Sequence, residues 1–255
     1  MAIYVVAEAG INHNGSFDEA LRLVEYAKRS GADAVKFQLF DYRVLKRPEL
    51  QRFQLSRDQI GDLSDYARVH ELDFLCTPFD VAALEYVRAL KPRYMKLASG
   101  AVFNEGLLSA ASRLNIPIVL STGMADWNDV DAAVDALKGC FVTMLHTTSA
   151  YPAPINEANL RAMVELRSRY GLPVGYSDHT VHGDAVVAAA ALGAVYIEMH
   201  LTRSRQQSGP DHMASYEPSQ FRETVARIRD MERMLGDGVK RPQNSEKLAR
   251  EVWAS

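Results

Sequence analysis

The strongest constraint in this chain is an alternation that repeats from end to end. Short aliphatic and β-branched runs at positions 4–8, 34–39, 74–77, 94–98, 117–121, 141–146, 173–176 and 195–200 predict buried strands. Between and after them, positions 17–30, 56–71, 81–90, 105–114, 128–137, 157–170, 183–192 and 219–235 carry a helical period. Ser16 with Glu19 three residues on, and Ser56 with Gln59 three residues on, have the form of N-terminal caps. Gly31, Asn115, Gly171 and Gly193 punctuate helix ends. Strict alternation demands parallel strands with helical crossovers, and eight is the count at which a tilted parallel sheet closes on itself. The sequence therefore predicts an α/β fold, a single-domain (β/α)8 TIM barrel over residues 1–240, with a C-terminal tail at 241–255. An open doubly wound sheet is the alternative. No G-x-G-x-x-G follows the first strand and no Walker A sequence occurs, so the barrel is preferred.

Length and charge agree with this reading and exclude others. The chain has 255 residues, a formal charge of −3 and 47% hydrophobic residues, which gives ample material for one large core and no basic footprint for nucleic acid or a membrane surface. The N-terminal residues lack the cationic and apolar regions of a signal peptide. The longest apolar stretch, 185–197, is too short to span a bilayer, so a cytoplasmic protein is expected. Cys76 and Cys140 form no C-x-x-C pair and read as small core hydrophobes. The two longest connections, 41–55 and 203–218, fall on the strand C-terminal side. A short amphipathic stretch at 246–253 has two roles open to it, closing the barrel bottom or leading onward to something else.

Each predicted strand turns polar at the same end. Glu8 ends the first; Lys36 and Gln38 lie in the second; Thr77 ends the third; Lys96 and Ser99 mark the fourth. Ser121 and Thr122 end the fifth, His146, Thr148 and Ser149 mark the sixth, Ser177, Asp178 and His179 the seventh, and Glu198 and His200 the eighth. In a barrel that end is the catalytic face. His179 and His200 end adjacent strands, so their imidazoles can share one divalent ion with positions left for water and substrate. Read alone, His70, His182 and His212 are rim or core residues bonded to a neighbour. Lys36 and Lys96 with Thr77, Ser99 and Ser177 suit a phosphate. A lysine inside a barrel suits a Schiff base equally, and at this point both remain open for Lys96.

Nine motifs in order resemble the N-acetylneuraminate (sialic acid) synthase family. They are Ala7-Glu8-Ala9-Gly10-Ile11-Asn12-His13-Asn14-Gly15, Gly31-Ala32-Asp33-Ala34-Val35-Lys36-Phe37-Gln38, Thr77-Pro78-Phe79, Lys96-Leu97-Ala98-Ser99-Gly100, Leu120-Ser121-Thr122-Gly123-Met124, Tyr151-Pro152-Ala153-Pro154, Tyr176-Ser177-Asp178-His179-Thr180, Glu198-Met199-His200-Leu201-Thr202 and Gly209-Pro210-Asp211-His212. The resemblance covers the family's catalytic barrel and not its C-terminal antifreeze-like domain, and Ala101 stands where the family usually has an acidic residue.

The resemblance implies condensation of phosphoenolpyruvate with an N-acylated amino-sugar aldehyde of the N-acetylmannosamine kind, giving a 2-keto-3-deoxy-nonulosonate and phosphate. It implies His179 and His200 as ligands of a divalent metal, Mn²⁺ first, with Mg²⁺ or Co²⁺ as substitutes. Lys36, Thr77, Lys96, Ser99, Ser149 and Ser177 are implied to hold phosphoenolpyruvate, which moves both lysines from Schiff bases to anion ligands. Glu8 is implied as acid or base; Gln38, Tyr151 and Asp211 face the sugar, and Glu198 supports the site beside His200. A homodimer, with a separately encoded lid domain, is the implied assembly. The competing readings are condensation onto another aldose, or a non-catalytic barrel that binds sugar or phosphoenolpyruvate.

Overall fold

The structure, a computed structural model, describes residues 2–253, so the first residue of the expected barrel and the last two of the expected tail lie outside the described residues. The strands are β1 Tyr4–Gly10, β2 Ala34–Leu39, β3 Asp73–Pro78, β4 Met95–Leu97, β5 Ile118–Ser121, β6 Val142–His146, β7 Val174–Asp178 and β8 Tyr196–His200. The helices are α1 Phe17–Arg29, α2 Arg57–Val69, α3 Val81–Ala89, α4 Glu105–Ser112, α5 Trp127–Ala136, α6 Arg161–Tyr170, α7 Gly183–Ala191, α8 Pro218–Leu235 and α9 Lys247–Trp253. All strand ladders are parallel, in the order β3-β2-β1-β8-β7-β6-β5-β4. The ends β3 and β4 lie side by side, so the sheet forms a nearly closed barrel with a helix after each strand.

Each element has a local cause. Ser16 accepts from Glu19 N and Ser56 makes the complete reciprocal box with Gln59, as their spacing predicts. Helix α6 starts later than its period predicts. A 3-10 turn at Ile155–Glu157 and a left-handed Asn159, φ 39°, interrupt the helical run before Arg161.

Strand period then sorts the side chains. Outward residues such as Val5, Ala7, Val35 and Phe37 pack against helices in the main core. Inward residues Val6, Ala34, Leu75, Val119, Leu145 and Tyr196 form a separate layer inside the barrel. The rings of Tyr4, Tyr94 and Tyr196 plug it from below, with centroids 5.1–6.0 Å apart. Gly175 is required by this filling, since a Cβ there would lie 2.2 Å from Tyr196 O and 2.6 Å from Leu145 Cδ2. Two residues up each strand from this layer, the inward positions become Glu8, Lys36, Ser121, Ser177 and Glu198.

The tail corrects one expectation. Helix α9 does not close the barrel bottom: Leu248 and Trp253 are 77% and 86% exposed, and its main packing is against the turn just before it. Both cysteines are free; Cys76 is buried in the core and Cys140 packs at its edge, as expected.

Candidate active site

At the C-terminal end of the barrel lies a cavity of about 380 Å³. Glu8, Lys36, Gln38, Thr77, Lys96, Ser99, Tyr151, Ser177, His179, Glu198, His200 and Asp211 all line it. Ser149 alone of the expected residues is not on that wall. It stands beside Ser99, both hydroxyls closing on the backbone of Gly123, where a Cβ would meet Ser149 Oγ at 2.3 Å and Ser99 Oγ at 2.9 Å.

The floor is a network of four buried ionisable groups. Lys36 Nζ lies 2.7 Å from Glu8 Oε2, 3.5 Å from Glu198 Oε1, and donates to Thr77 Oγ1 at 3.0 Å. Lys96 Nζ donates to Ser121 Oγ at 2.9 Å and lies 3.7 Å from Glu198 Oε1. Gln38 donates to Glu8 Oε1 at 3.1 Å. Two cations against two carboxyls make burial tolerable, since an isolated buried charge costs several kcal/mol in order of magnitude. Burial pushes the Glu8 carboxyl up, with Lys36 opposing it. Burial also pushes Glu198 up, yet the lysines and His179 together hold it below the ordinary carboxylate value. Burial opposes protonation of Lys36, but Glu198 and Glu8 leave it raised, whereas burial prevails at Lys96.

Above the floor stand the histidines. Their ring centroids are 5.2 Å apart and their planes meet at 72°. Burial lowers both below the ordinary imidazole value, His200 further through His179 and the lysines, so the neutral, metal-binding form is favoured. His179 Nδ1 is 2.6 Å from Thr148 O; a carbonyl only accepts, so Nδ1 carries the hydrogen and Nε2 keeps its lone pair. His200 Nδ1 is buried without a hydrogen-bond partner, 3.8 Å from Asp211 Oδ2. No group of three or more His, Cys, Asp or Glu among the described residues is arranged to hold a metal ion. Two neutral imidazoles with one orphaned nitrogen do fit an open site, in which water and substrate complete the ion's shell.

Gln38, Asp211 and Tyr151 form one side of the cavity. The Tyr151 ring lies 4.1 Å from His179 and 5.5 Å from His200. Burial pushes the Asp211 carboxyl up to about 6. Gly10, with φ +52°, lets this wall close: its absent Cβ would lie 3.2 Å from Glu8 Oε1, 3.4 Å from Gln38 Nε2 and 3.5 Å from Asp211 Oδ2.

The polar end of the sixth strand did not by itself say which residues enter the site, and other groups were missed. His146 and Thr148, assigned no role from the sequence, do not line the cavity. His146 faces outward, 2.8 Å from Ala158 O, and lines a separate cavity with Trp127 and Leu166, while Thr148 Oγ1 bonds Glu157 O. Strand parity is the reason, and it puts Thr147 on the site wall instead. Ser121, read only as a strand end, is the hydrogen-bond partner of Lys96. Arg47 also lines the cavity, from a loop where no pattern marks it.

The sequence pattern of the NeuB family matches residues 46–240. An N,N'-diacetyllegionaminic acid synthase from Campylobacter jejuni subsp. jejuni is 38% identical, over 95% of this chain and 80% of its own. A protein of the same name from Legionella pneumophila subsp. pneumophila is 36% identical, over 96% of this chain and 77% of its own. The crystal structure of N-acetylneuraminic acid (sialic acid) synthetase from Leptospira borgpetersenii serovar Hardjo-bovis, in complex with citrate, superposes with a TM-score of 0.93 at 31% identity, covering 100% of this chain and 92% of that one.

Proposed function

The chain belongs to the NeuB family, and from that premise we propose that this enzyme condenses phosphoenolpyruvate with an N-acylated amino-sugar aldehyde to give a sialic-acid-like nonulosonate and phosphate. The observation that carries the reading is the buried Lys36–Glu8–Glu198–Lys96 network lying directly beneath two neutral histidines in one cavity.

Phosphoenolpyruvate is a compact polyanion. Lys36 and Lys96 offer it point charges already paid for by the buried carboxylates, and Thr77, Ser99, Ser149 and Ser177 offer short hydroxyl donors. Holding it on the floor orients its enol carbon toward the sugar wall, which removes much of the entropy cost of a two-substrate reaction. His179 and His200 would hold a divalent ion, Mn²⁺ foremost, and such an ion supplies Lewis-acid stabilisation of the negative charge that grows on the sugar's carbonyl oxygen. Gln38, Tyr151 and Asp211 orient the acceptor. Attack leaves positive character on the phosphate-bearing carbon. Glu8, on the same floor, stabilises that charge and takes the proton of the incoming water, a role its raised carboxyl suits. Carbon–oxygen cleavage then releases phosphate to the two lysines.

The assembly proposed is a homodimer with a lid supplied to the cavity mouth. Exposed Val44, Met124, Ile155 and Met213 support it, because all four sit in strand-to-helix connections at the same end of the barrel as the cavity. A cytoplasmic setting suits the two free cysteines. No helix among the described residues is long and apolar enough to cross a membrane.

The test is phosphate release from phosphoenolpyruvate across a panel of N-acylated hexosamines with Mn²⁺. Release that needs both sugar and metal is the expected result. Release with unacylated aldoses alone supports condensation onto another aldose; phosphoenolpyruvate binding with no release for any sugar overturns the proposal. His200→Ala is expected to lose bound metal and keep its fold, and unchanged metal content would remove the histidine pair as ligands.

A further inference from the structure

One carboxylate ties the two histidine-bearing strand ends together. Asp178 immediately precedes His179 at the end of β7 and is fully buried. Its Oδ1 accepts from Thr180 N at 3.1 Å and Thr180 Oγ1 at 2.7 Å, so it bonds the residue on the far side of His179 and closes a tight turn around it. Tyr176 donates to the same oxygen at 3.1 Å. The other oxygen, Oδ2, accepts from Tyr216 Oη at 2.6 Å.

Tyr216 connects onward to the second histidine. Its backbone N–H donates to His200 O at 2.8 Å, and its carbonyl accepts from Thr202 N at 3.0 Å. It therefore pairs along the continuation of β8 while its side chain reaches across to β7. Tyr216 is 2% exposed, and its ring packs on Phe221 of α8, so the strap is anchored in the core. The path runs from the turn around His179, through Asp178 and the Tyr216 hydroxyl, to the backbone of His200. Strand pairing alone does not set this span: the β7–β8 ladder ends at Asp178 with Met199, before either histidine.

We propose that Asp178 and Tyr216 are positioning residues that set the separation and angle of the His179 and His200 imidazoles. The inference rests on the reading that those imidazoles hold a divalent ion, and it concerns how the chain presents them. Groups that orient metal-binding imidazoles are worth roughly 10–100-fold in metal affinity when removed.

The experiment compares Tyr216→Phe and Asp178→Asn with Tyr196→Phe, whose buried hydroxyl has no partner among the described residues. Mn²⁺ affinity is measured by titration, and the ring resonances of His179 and His200 by NMR in metal-free protein, alongside thermal unfolding. Both Tyr216→Phe and Asp178→Asn are expected to weaken Mn²⁺ binding about tenfold or more and to shift both histidines' resonances. Tyr196→Phe is expected to change neither. Lower melting temperatures with unchanged affinity and unmoved resonances would reduce Asp178 and Tyr216 to structural residues and overturn the proposal. Shifted resonances in the two variants, together with a wild type that binds no Mn²⁺, would uphold the positioning and overturn the metal reading. If Asp178→Asn fails to fold, Tyr216→Phe alone decides the matter.

Discussion

Gly123 occupies a point where no side chain fits, and two of the three groups crowding it are hydroxyls assigned to the anion, the third being the Thr147 methyl. Its N–H donates to Ser99 Oγ at 3.1 Å, and the space a Cβ would fill lies 2.3 Å from Ser149 Oγ. Gly123→Ala must therefore push Ser99 and Ser149 apart by about an ångström, a misplacement that costs up to about 100-fold in a positioned site. The expected outcome is a KM for phosphoenolpyruvate raised about tenfold or more, with the KM for the sugar unchanged. Steady-state kinetics with each substrate varied in turn checks it; an unchanged phosphoenolpyruvate KM would take both serines off the anion. At this scale most of the site was legible, because inward strand positions that should be apolar are instead Glu8, Lys36, Ser177 and Glu198. What escaped had a physical reason. His146 and Thr148 were polar at the right end of the strand but on the wrong face, and Thr147 between them was passed over. Arg47 reaches the cavity from a loop whose path no periodicity specifies. Gly123 carried its own signal, a glycine directly after Ser121-Thr122, but which hydroxyls it admits depends on β4 and β6 arriving beside it.

Among the secondary-structure elements, the strands and helices fall within a few residues of their sequence limits, since each change of hydrophobic period coincides with a cap or a break. The exceptions are the helix ends without glycine. Asn115, read as a terminator, is not in the left-handed region, while Glu71 with φ 53° and Lys91 with φ 55° are. A charged side chain gives no sequence sign of that conformation, which for a residue with a Cβ costs roughly 1–2 kcal/mol. Lys91 follows α3 and its N–H donates to Arg88 O at 3.0 Å, closing the helix end. Lys91→Gly is thus expected to stabilise the protein by up to about 1 kcal/mol, after the greater freedom of glycine in the unfolded chain is subtracted. For a chain this long that is a rise of about 2–4 °C in Tm. Asn115→Gly is expected to lower Tm slightly, having no strain to relieve. Thermal unfolding of the two variants side by side checks the contrast, and an identical response at both positions would contradict it.

At the scale of the whole molecule, the two ends of the chain meet along a seam between the first strand and the last. Below, the Arg229 guanidinium of α8 donates to Ile3 O at 2.6 Å and pairs with Asp33 Oδ2 at 2.7 Å. Above, Asn12 Nδ2 donates to Leu201 O and Ser215 Oγ, and Asn14 bonds His212, joining the connection after β1 to the one after β8. The count of eight predicted a closed barrel, but these partners lie about two hundred residues apart, and only the fold identifies them. The tail had the opposite outcome, an amphipathic pattern whose apolar residues Leu248 and Trp253 stay exposed. His13 lies within the upper seam. Its Nδ1 accepts from Gly15 N at 3.0 Å and its ring faces Phe37 at 6.1 Å. Burial pushes it down to about 4 from an ordinary 6.5, with a bond to the Gly10 backbone opposing. Because the folded value is depressed, the unfolded chain binds the proton first as pH falls. His13 thus contributes its full stability above pH 6.5 and loses it progressively toward pH 4. The loss is about 1.4 kcal/mol per pH unit, or about 3 kcal/mol across the window. His13→Gln removes this titration and leaves every other group in place, so subtraction isolates it. The variant is expected to be less stable than the wild type at pH 7, where the packing of the ring is lost, and the gap should narrow by about 3 kcal/mol as pH falls to 4. Urea unfolding of both metal-free proteins at half-unit pH intervals measures that gap directly. A gap that stays constant or widens on acidification would show that His13 takes up its proton as readily in the folded seam as in the unfolded chain.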